Sequence, residues 1–439
     1  MNESVRREAY KIITKVLKKK LYSDKLLHQS AKKMQQNPDD YALLNHLVKG
    51  IIKYKKNLDY IISQFTNDQK YKNTNLKIKV ILYLAIYQLR YMNSGTPHSV
   101  VDATVEFAKK NMDQRIANFV NAVLRSYLRN PEITYPDNEI ECLAAQYSFP
   151  EFLIKQWLQL WGKQNTEQLC KFFNKVPKLY LRVNKMATEP EKVLKYFQRR
   201  QVQLEEVELV PNFLAAKTGR DIIYDVALSE GYISIQDPAA GLVVDLIDPA
   251  KDNSVLDLFA APGGKATYIS EKMRNSGEVI AVDKYPQKTK KLKKAVERLQ
   301  ISNMKIITED AFKYKPVAPA YDRVLLDVPC SGWGVFQKKA ELRWQKHQNM
   351  HQLIKMQKQA LILGAKFVKP NGCLIYSTCT LNEEENERQI EYFLQHNKDF
   401  KLVDAGNFVA KDFTEKKYLK ILPFKHGFDG AFAAKMMKI

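Results

Sequence analysis

The chain has 439 residues, a formal net charge of +22 and 45% apolar side chains, enough for two to four domains with proper cores and basic enough to argue for a polyanionic partner. Its five cysteines are odd in number and contain no C-x-x-C, which argues against a disulfide framework and a structural zinc site and for a reducing cytoplasm. The N-terminus enters a helix pattern without a signal-peptide core, and the most apolar run, Val80 to Leu89, is roughly half of a bilayer span, so a soluble, cytoplasmic protein is expected.

Residues 1–130 carry helical periodicity throughout: Val5, Ala9, Ile12 and Val16, then Leu44, Leu47, Val48 and Ile51, then Leu76, Val80, Leu84 and Tyr87 after a cap at Thr74 or Asn75. Asn93-Ser-Gly-Thr-Pro97 marks a turn, and two further helices carry Val101 and Val105, then Ile116, Phe119, Val120, Val123 and Leu124. Short connections imply an all-α bundle. A polar, proline-marked stretch, Asn130 to Asn138, reads as a linker. Residues 139–235 mix helix and strand. A helix is predicted around Trp157 and another over Glu189–Arg200, with strands at Lys178–Asn184, Val202–Leu209 and Gly231–Ile235. In this small α+β module Arg182, Lys185, Arg199 and Arg200 are candidate phosphate contacts, each read singly as a surface charge.

From residue 236 to 439 strands alternate with helices, which predicts an α/β, Rossmann-like domain with a parallel, doubly wound sheet. Its first unit is the apolar run Ser254–Phe259, the loop Ala260-Ala-Pro-Gly-Gly264 and a helix opening at Lys265. The glycines let backbone approach a ligand closely, and the spacing is neither G-x-G-x-x-G nor a Walker P-loop. Strands are predicted at Glu278–Val282, Met304–Thr308, Asp322–Asp327 and Gly372–Ser377, with a basic helix at Gln287–Leu299 and a long one at His351–Phe367.

Ligands of such sheets bind beyond the carboxyl ends of the strands. Four carboxylates close or follow successive strands there: Asp257, Asp283, Asp310 and Asp327. Asp283, about twenty residues beyond the glycine loop, suits the hydroxyls of an adenosine ribose, and Asp310 suits the adenine amino group. The ribose carboxylate alone fits a nicotinamide dinucleotide equally well. Two cysteines narrow the choice: Cys330 in Asp327-Val-Pro-Cys-Ser-Gly-Trp-Gly and Cys379 in Ser377-Thr-Cys-Thr-Leu, both just past strand ends. Cys142, Cys170 and Cys373 sit in apolar patterns and read as core. Asn382 and Glu385 suggest a capping box for a helix that would stabilise a thiolate at Cys379. A thiolate beside adenosine in a basic protein suits pyrimidine chemistry. Attack on C6 gives C5 enamine character, C5 takes a methyl group, and an acid near N3, for which Asp327 is placed, helps the attack.

Phe259-Ala-Ala-Pro-Gly-Gly-Lys265, Asp327-Val-Pro-Cys-Ser-Gly and Ser377-Thr-Cys-Thr-Leu, in that order and spacing, resemble the RNA cytosine-C5 methyltransferase family. The resemblance implies that Cys379 is the nucleophile and that Cys330 helps release the product. It implies a pocket for S-adenosylmethionine and the base built from Phe259, Ala260, Ala261, Pro262, Gly263, Gly264, Lys265, Asp283, Asp310 and Asp327, with Arg343 as a further contact. Leu181-Arg-Val-Asn184 and Gly231-Tyr-Ile-Ser-Ile-Gln-Asp237 resemble the small RNA-binding module ahead of that catalytic domain. The helical part, with Phe119-Val-Asn-Ala-Val-Leu-Arg125, is similar to the NusB-like RNA-binding fold of antitermination factors. The three-part arrangement resembles the branch of the family that methylates 16S ribosomal RNA, so ribosomal RNA is the expected partner, without metal or membrane and with a monomer as the default. Gly427-Phe-Asp-Gly-Ala-Phe432 stands where the family's last hairpin more typically has Gly-Phe-Phe.

The alternatives are the same chemistry on transfer RNA, a non-catalytic RNA-binding assembly or antitermination factor, and a redox-sensing Cys330–Cys379 pair. Asp-Val-Pro-Cys stands where amino-group methylation would want an Asn or Asp-Pro-Pro-aromatic turn, and the missing G-x-G-x-x-G disfavours a dehydrogenase.

Overall fold

The computed structural model describes residues 3–19, 21–33, 37–67, 71–92, 95–216, 219–316, 321–345 and 350–439. The chain divides into two units, Met1–Lys175 with Phe336–Gln345, and Val176–Val335 with Lys346–Ile439.

The first unit is helical: α1 (Glu3–Lys19), α2 (Ser23–Lys33), α3 (Pro38–Lys53), α4 (Lys55–Gln64), α5 (Leu76–Tyr91), α6 (Pro97–Asn111), α7 (Gln114–Arg129), α8 (Glu139–Tyr147) and α9 (Glu151–Asn174). Side chains that outcompete the backbone for the first amides start several of them. Asn75 accepts from the Lys77 amide, Thr96 from Ser99 ahead of α6, and Asp113 from Ile116 ahead of α7. Asn93 and Ser94 of the expected turn lie outside the described residues. The apolar stripes meet in one core that includes Val5, Ile51, Leu84, Val101, Val120 and Leu124. Helix α9 breaks at Gly162, whose φ of 73° only glycine takes without strain.

A segment from far along the chain completes this unit. The Phe336 ring packs with Phe149, Trp157 and Phe173, at centroid distances of 6.1, 6.4 and 5.4 Å. The Arg343 guanidinium lies 3.8 Å from the centre of the Phe149 ring. It donates to the Lys53 and Ser148 carbonyls, each at 3.3 Å, to Phe173 O at 3.0 Å and to Asn174 Oδ1 at 2.9 Å. Glu341 accepts from the Ser23 amide and hydroxyl at 2.9 and 3.1 Å. Arg343, expected as a pocket contact, is thus a fully buried structural residue of the first unit. Three of its hydrogen bonds go to carbonyls that helix ends would otherwise leave orphaned.

The second unit holds two sheets. The smaller is antiparallel in the order β2 (Leu204–Glu206), β3 (Phe213–Ala216), β1 (Leu179–Val183), β4 (Ile233–Ile235), and carries α10 (Pro190–Arg199). Leu181 and Val183 pack with Val193 and Phe197. Helix α11 (Pro238–Ile247) leads from it to the larger sheet. The larger sheet has the order β11 (Thr414–Glu415), β12 (Tyr418–Ile421), β13 (Ala431–Lys438), β9 (Val368–Thr378), β8 (Tyr321–Asp327), β5 (Ser254–Asp257), β6 (Glu278–Val282), β7 (Met304–Ile307), with β10 (Phe400–Val403) also on β13. Strands β7 to β9 through β5 run parallel, as alternation with α12 (Gly264–Lys272), α13 (Pro286–Arg298) and α14 (Met350–Phe367) requires. The expectation of an all-parallel sheet fails beyond β9. β13 pairs with β9 antiparallel, and β12 and β11 continue that sense, because short connections after α15 (Glu387–His396) leave no room for crossovers.

Candidate active site

Asp257 and Asp327 end β5 and β8, and Asp283 and Cys379 follow β6 and β9 directly. Parallel pairing in register, Asp257 with Leu325 and Asp327 with Ser377, brings these strand ends to one crevice. Asp310 lies three residues beyond β7, where its Oδ1 accepts from the Phe312 amide at 3.0 Å. The Phe259 and Phe312 rings meet edge to face at 6.4 Å.

The glycine loop turns at Gly263, with φ of 109°. A Cβ there would lie 2.2 Å from Leu292 Cδ1, so glycine is needed both for its backbone and for its size. The Ala261–Pro262 bond is cis. The Ala260 amide donates to Val282 O at 3.0 Å and the Ala261 amide to Asp283 Oδ2 at 3.2 Å, while Asp283 Oδ1 accepts from Tyr285 at 2.9 Å. Each oxygen of this buried carboxylate keeps a lone pair beyond its backbone partner. Two hydroxyls of a ribose suit that donor-poor, acceptor-rich end. A glycine turn opening α12 suits close approach of a ligand, so the residues fit S-adenosylmethionine.

Asp327 is the centre of a second cluster. Lys265 Nζ lies 2.7 Å from its Oδ2, and Ser377 Oγ donates to its Oδ1 at 2.8 Å. Burial opposes the charge on Lys265, but the Asp327 carboxylate outweighs it and its pKa rises. Asp257, fully buried and close to Asp327, is pushed up to about 8, first by burial and then by that neighbouring charge.

The two half-buried thiols stand with sulfurs 3.4 Å apart. The Cys330 thiol is raised well above the ordinary range, first by its hydrogen bond to Cys379, then by burial and by the negative charge of Cys379 and Glu385. At that separation both cannot ionise, so Cys330 keeps its proton within hydrogen-bond distance of the Cys379 sulfur.

The cysteine loops are braced by Glu385 and by two glycines, Gly334 and Gly430. Glu385, wholly buried, accepts from the Ser331 amide at 2.8 Å and Gln357 Nε2 at 3.0 Å on one oxygen, and from Asn382 Nδ2 at 3.1 Å on the other. Gly334 donates its amide to Cys379 O at 3.0 Å and accepts from the Gly430 amide at 2.9 Å. The expected capping box is therefore absent. Asn382 caps only a 3-10 turn, Glu383–Glu385, through the Glu384 amide at 3.3 Å, and α15 starts beyond it. Glu385 turns inward to three donors, and the Asn382 amide that a capping box would use donates to Thr380 Oγ1 at 3.3 Å. Arg182, read as a surface charge, is buried against Glu271. Cys170 and Cys373 are buried as expected, whereas Cys142 is half-buried.

Three family profiles match the chain: NusB over residues 3–129, the ferredoxin-like domain of the RsmF/B type over 149–222, and 16S rRNA methyltransferase RsmB/F over 244–437. It is 34% identical to the probable ribosomal RNA small subunit methyltransferase B of Synechocystis and 33% identical to that of Bacillus subtilis, in each case over 99% of both chains. The chain belongs to this methyltransferase B family. Full-length coverage extends membership to the helical, ferredoxin-like and mixed-sheet parts together. The crystal structure of PH0851 superposes with a TM-score of 0.83 at 26% identity, covering 100% of this chain and 99% of that one. No described helix is long and apolar enough to cross a membrane.

Proposed function

We propose that this chain performs its family's reaction, transfer of a methyl group from S-adenosylmethionine to C5 of a cytosine in 16S ribosomal RNA, with Cys379 as nucleophile. The observation that carries the residue assignment is the 3.4 Å approach of the Cys330 and Cys379 sulfurs at strand ends next to the Asp327–Lys265 pair. The Cys379 thiolate adds to C6, and the electrons of the C5–C6 double bond move toward C5. The Lys265 ammonium, paired with the Asp327 carboxylate, supplies through it the proton that settles near N3. Phe259 to Gly264, Asp283 and Asp310 would hold S-adenosylmethionine, which would supply the electrophilic methyl group for C5 and leave as the thioether S-adenosylhomocysteine. Once Cys379 is a thioether it no longer repels charge on Cys330, whose thiol can then lose its proton to solvent and, as thiolate, take the C5 proton. The Sγ–C6 bond breaks and its electron pair returns to Cys379.

Residues 1–130 and 139–235 serve RNA binding and 236–439 catalysis; the net charge of +22 supports a phosphate-rich partner. The enzyme works in the cytoplasm as a monomer. The test uses unmodified 16S ribosomal RNA, methyl-labelled S-adenosylmethionine and denaturing gels. Wild type labels the RNA, Cys379→Ser does not, and Cys330→Ser accumulates a protein–RNA adduct. Normal labelling by Cys379→Ser refutes the nucleophile, and labelling of transfer RNA in place of 16S RNA refutes the substrate.

A further inference from the structure

Strand β1 alternates, so Leu181 and Val183 face the small module's core and Arg182 faces the other way. Its side chain is 1% exposed, and that of Glu271, its partner on α12, 2%. Nε donates to Glu271 Oε2 at 3.1 Å and Nη2 to Oε1 at 2.5 Å, a two-pronged fork. Nη2 also reaches Thr267 Oγ1 at 3.2 Å, and Nη1 donates to Gln236 Oε1 and to the carbonyl of Gly264 at 2.9 Å. The guanidinium stacks 4.7 Å from the centre of the Tyr268 ring. One side chain thus holds Gly264, Thr267 and Glu271, from the first to the last turn of the helix that the glycine loop leads into.

A second arginine repeats the arrangement in reverse. Arg298, closing α13, donates Nη1 to Leu228 O at 2.6 Å and Ile233 O at 2.9 Å, and Nη2 to Ser234 Oγ at 3.0 Å. A Cβ on Gly231 would lie 2.3 Å from Arg298 O. Both helices that follow cofactor-facing loops, α12 after Gly263 and α13 after Asp283, are therefore fastened to the small module.

A buried ion pair is a poor way to gain stability, since its desolvation offsets its attraction. What a forked guanidinium gives that apolar packing cannot is fixed direction. We propose that Arg182 is a positioning residue for the S-adenosylmethionine site: it sets the Gly263–Gly264 turn and makes the small module part of cofactor binding. This rests on the reading of the glycine loop as the cofactor site.

The test compares wild type, Arg182→Lys and Thr267→Val, with S-adenosylmethionine affinity measured by calorimetry without RNA, kcat and KM for both substrates, and RNA affinity across salt. Lysine keeps the charge and loses the fork. It should raise the Kd and KM for S-adenosylmethionine about tenfold, the loss of one to two charged hydrogen bonds. At saturating cofactor kcat stays within about twofold, and Thr267→Val shows a smaller shift of the same kind. A folded Arg182→Lys with lowered Tm and wild-type cofactor affinity overturns the proposal, as does weakened RNA binding with a shallower salt dependence, which would put Arg182 on phosphate. Should Arg182→Lys not fold, unchanged affinity in Thr267→Val overturns it. Wild type that binds no S-adenosylmethionine overturns the loop reading and this inference with it; wild type that binds while both variants bind equally well overturns this inference alone.

Discussion

Replacing Glu385 with glutamine changes one oxygen to nitrogen and nothing in shape, yet it should be severe. Three donors converge on this wholly buried carboxylate: the Ser331 amide, Gln357 Nε2 and Asn382 Nδ2. A glutamine has one acceptor oxygen. Its least costly orientation gives that oxygen to Ser331 and Gln357 and sets two NH2 groups, its own and that of Asn382, against each other. The two surviving hydrogen bonds fall from charged to neutral, about 1 kcal/mol each, and the orphaned buried donor adds at least ~1 kcal/mol. The sum, about 3 kcal/mol, corresponds to a Tm lowered by roughly 6–12 °C for a unit of this size. Because Ser331 follows Cys330, the variant should also resolve the RNA adduct slowly. Differential scanning calorimetry and single-turnover methylation measure the two effects, and cofactor affinity should not move. A variant that melts within about 1 °C of wild type and turns over normally would show that the carboxylate does not brace the loop.

Gly334→Ala would put a Cβ 2.4 Å from Gly430 O and 2.8 Å from Cys379 O, both backbone atoms; adduct formation on denaturing gels should fall at least tenfold, where overpacking alone costs about 1–3 kcal/mol. Asp257 has its pKa raised to about 8, so the folded state binds more protons than the unfolded one between about pH 4 and 8, and this contribution is full below pH 4 and lost as pH rises to 8. Asp257→Asn should flatten that decline in melts taken across the window, and an unchanged profile would refute the shift. Lys53 is lowered to about 7 by burial and by the charges of Arg343 and Lys49, so its contribution is present above about pH 10.5 and lost as pH falls toward 7. Wild type should melt higher at pH 9 than at pH 7, and Lys53→Met should lose that difference.

The sequence made legible what periodicity and strand-end chemistry encode. The stripes of α1, α3, α5 and α7 are the core of the first unit, and Asp257, Asp283, Asp327, Cys330 and Cys379 stand at or just past strand ends because parallel strands aim their carboxyl ends together. Where burial comes from two sides the pattern failed. Helix α11, Pro-Ala-Ala-Gly-Leu-Val-Val-Asp-Leu-Ile, is buried almost all round and so shows no stripe. Arg182 alternates as a surface residue should, and only the helix packed over it reveals otherwise. Glu385 satisfied a local capping pattern, while two of its three partners lie 28 and 54 residues away in the chain. Local rules cannot see competition of that range.

The segment from Phe336 to Gln345 also sets a timetable. Residues up to Lys175 contain every described α-helix of the first unit, yet the ring that fills its aromatic cage and the guanidinium that satisfies its orphaned carbonyls arrive with residues 336 to 343. On a translating ribosome at about 5–20 residues per second, they follow roughly 10–30 s later. A nascent N-terminal half waits through that interval with Phe149, Trp157 and Phe173 uncovered. Its completion follows directly on the emergence of the Cys330 loop, so the first unit matures only once part of the second has been made.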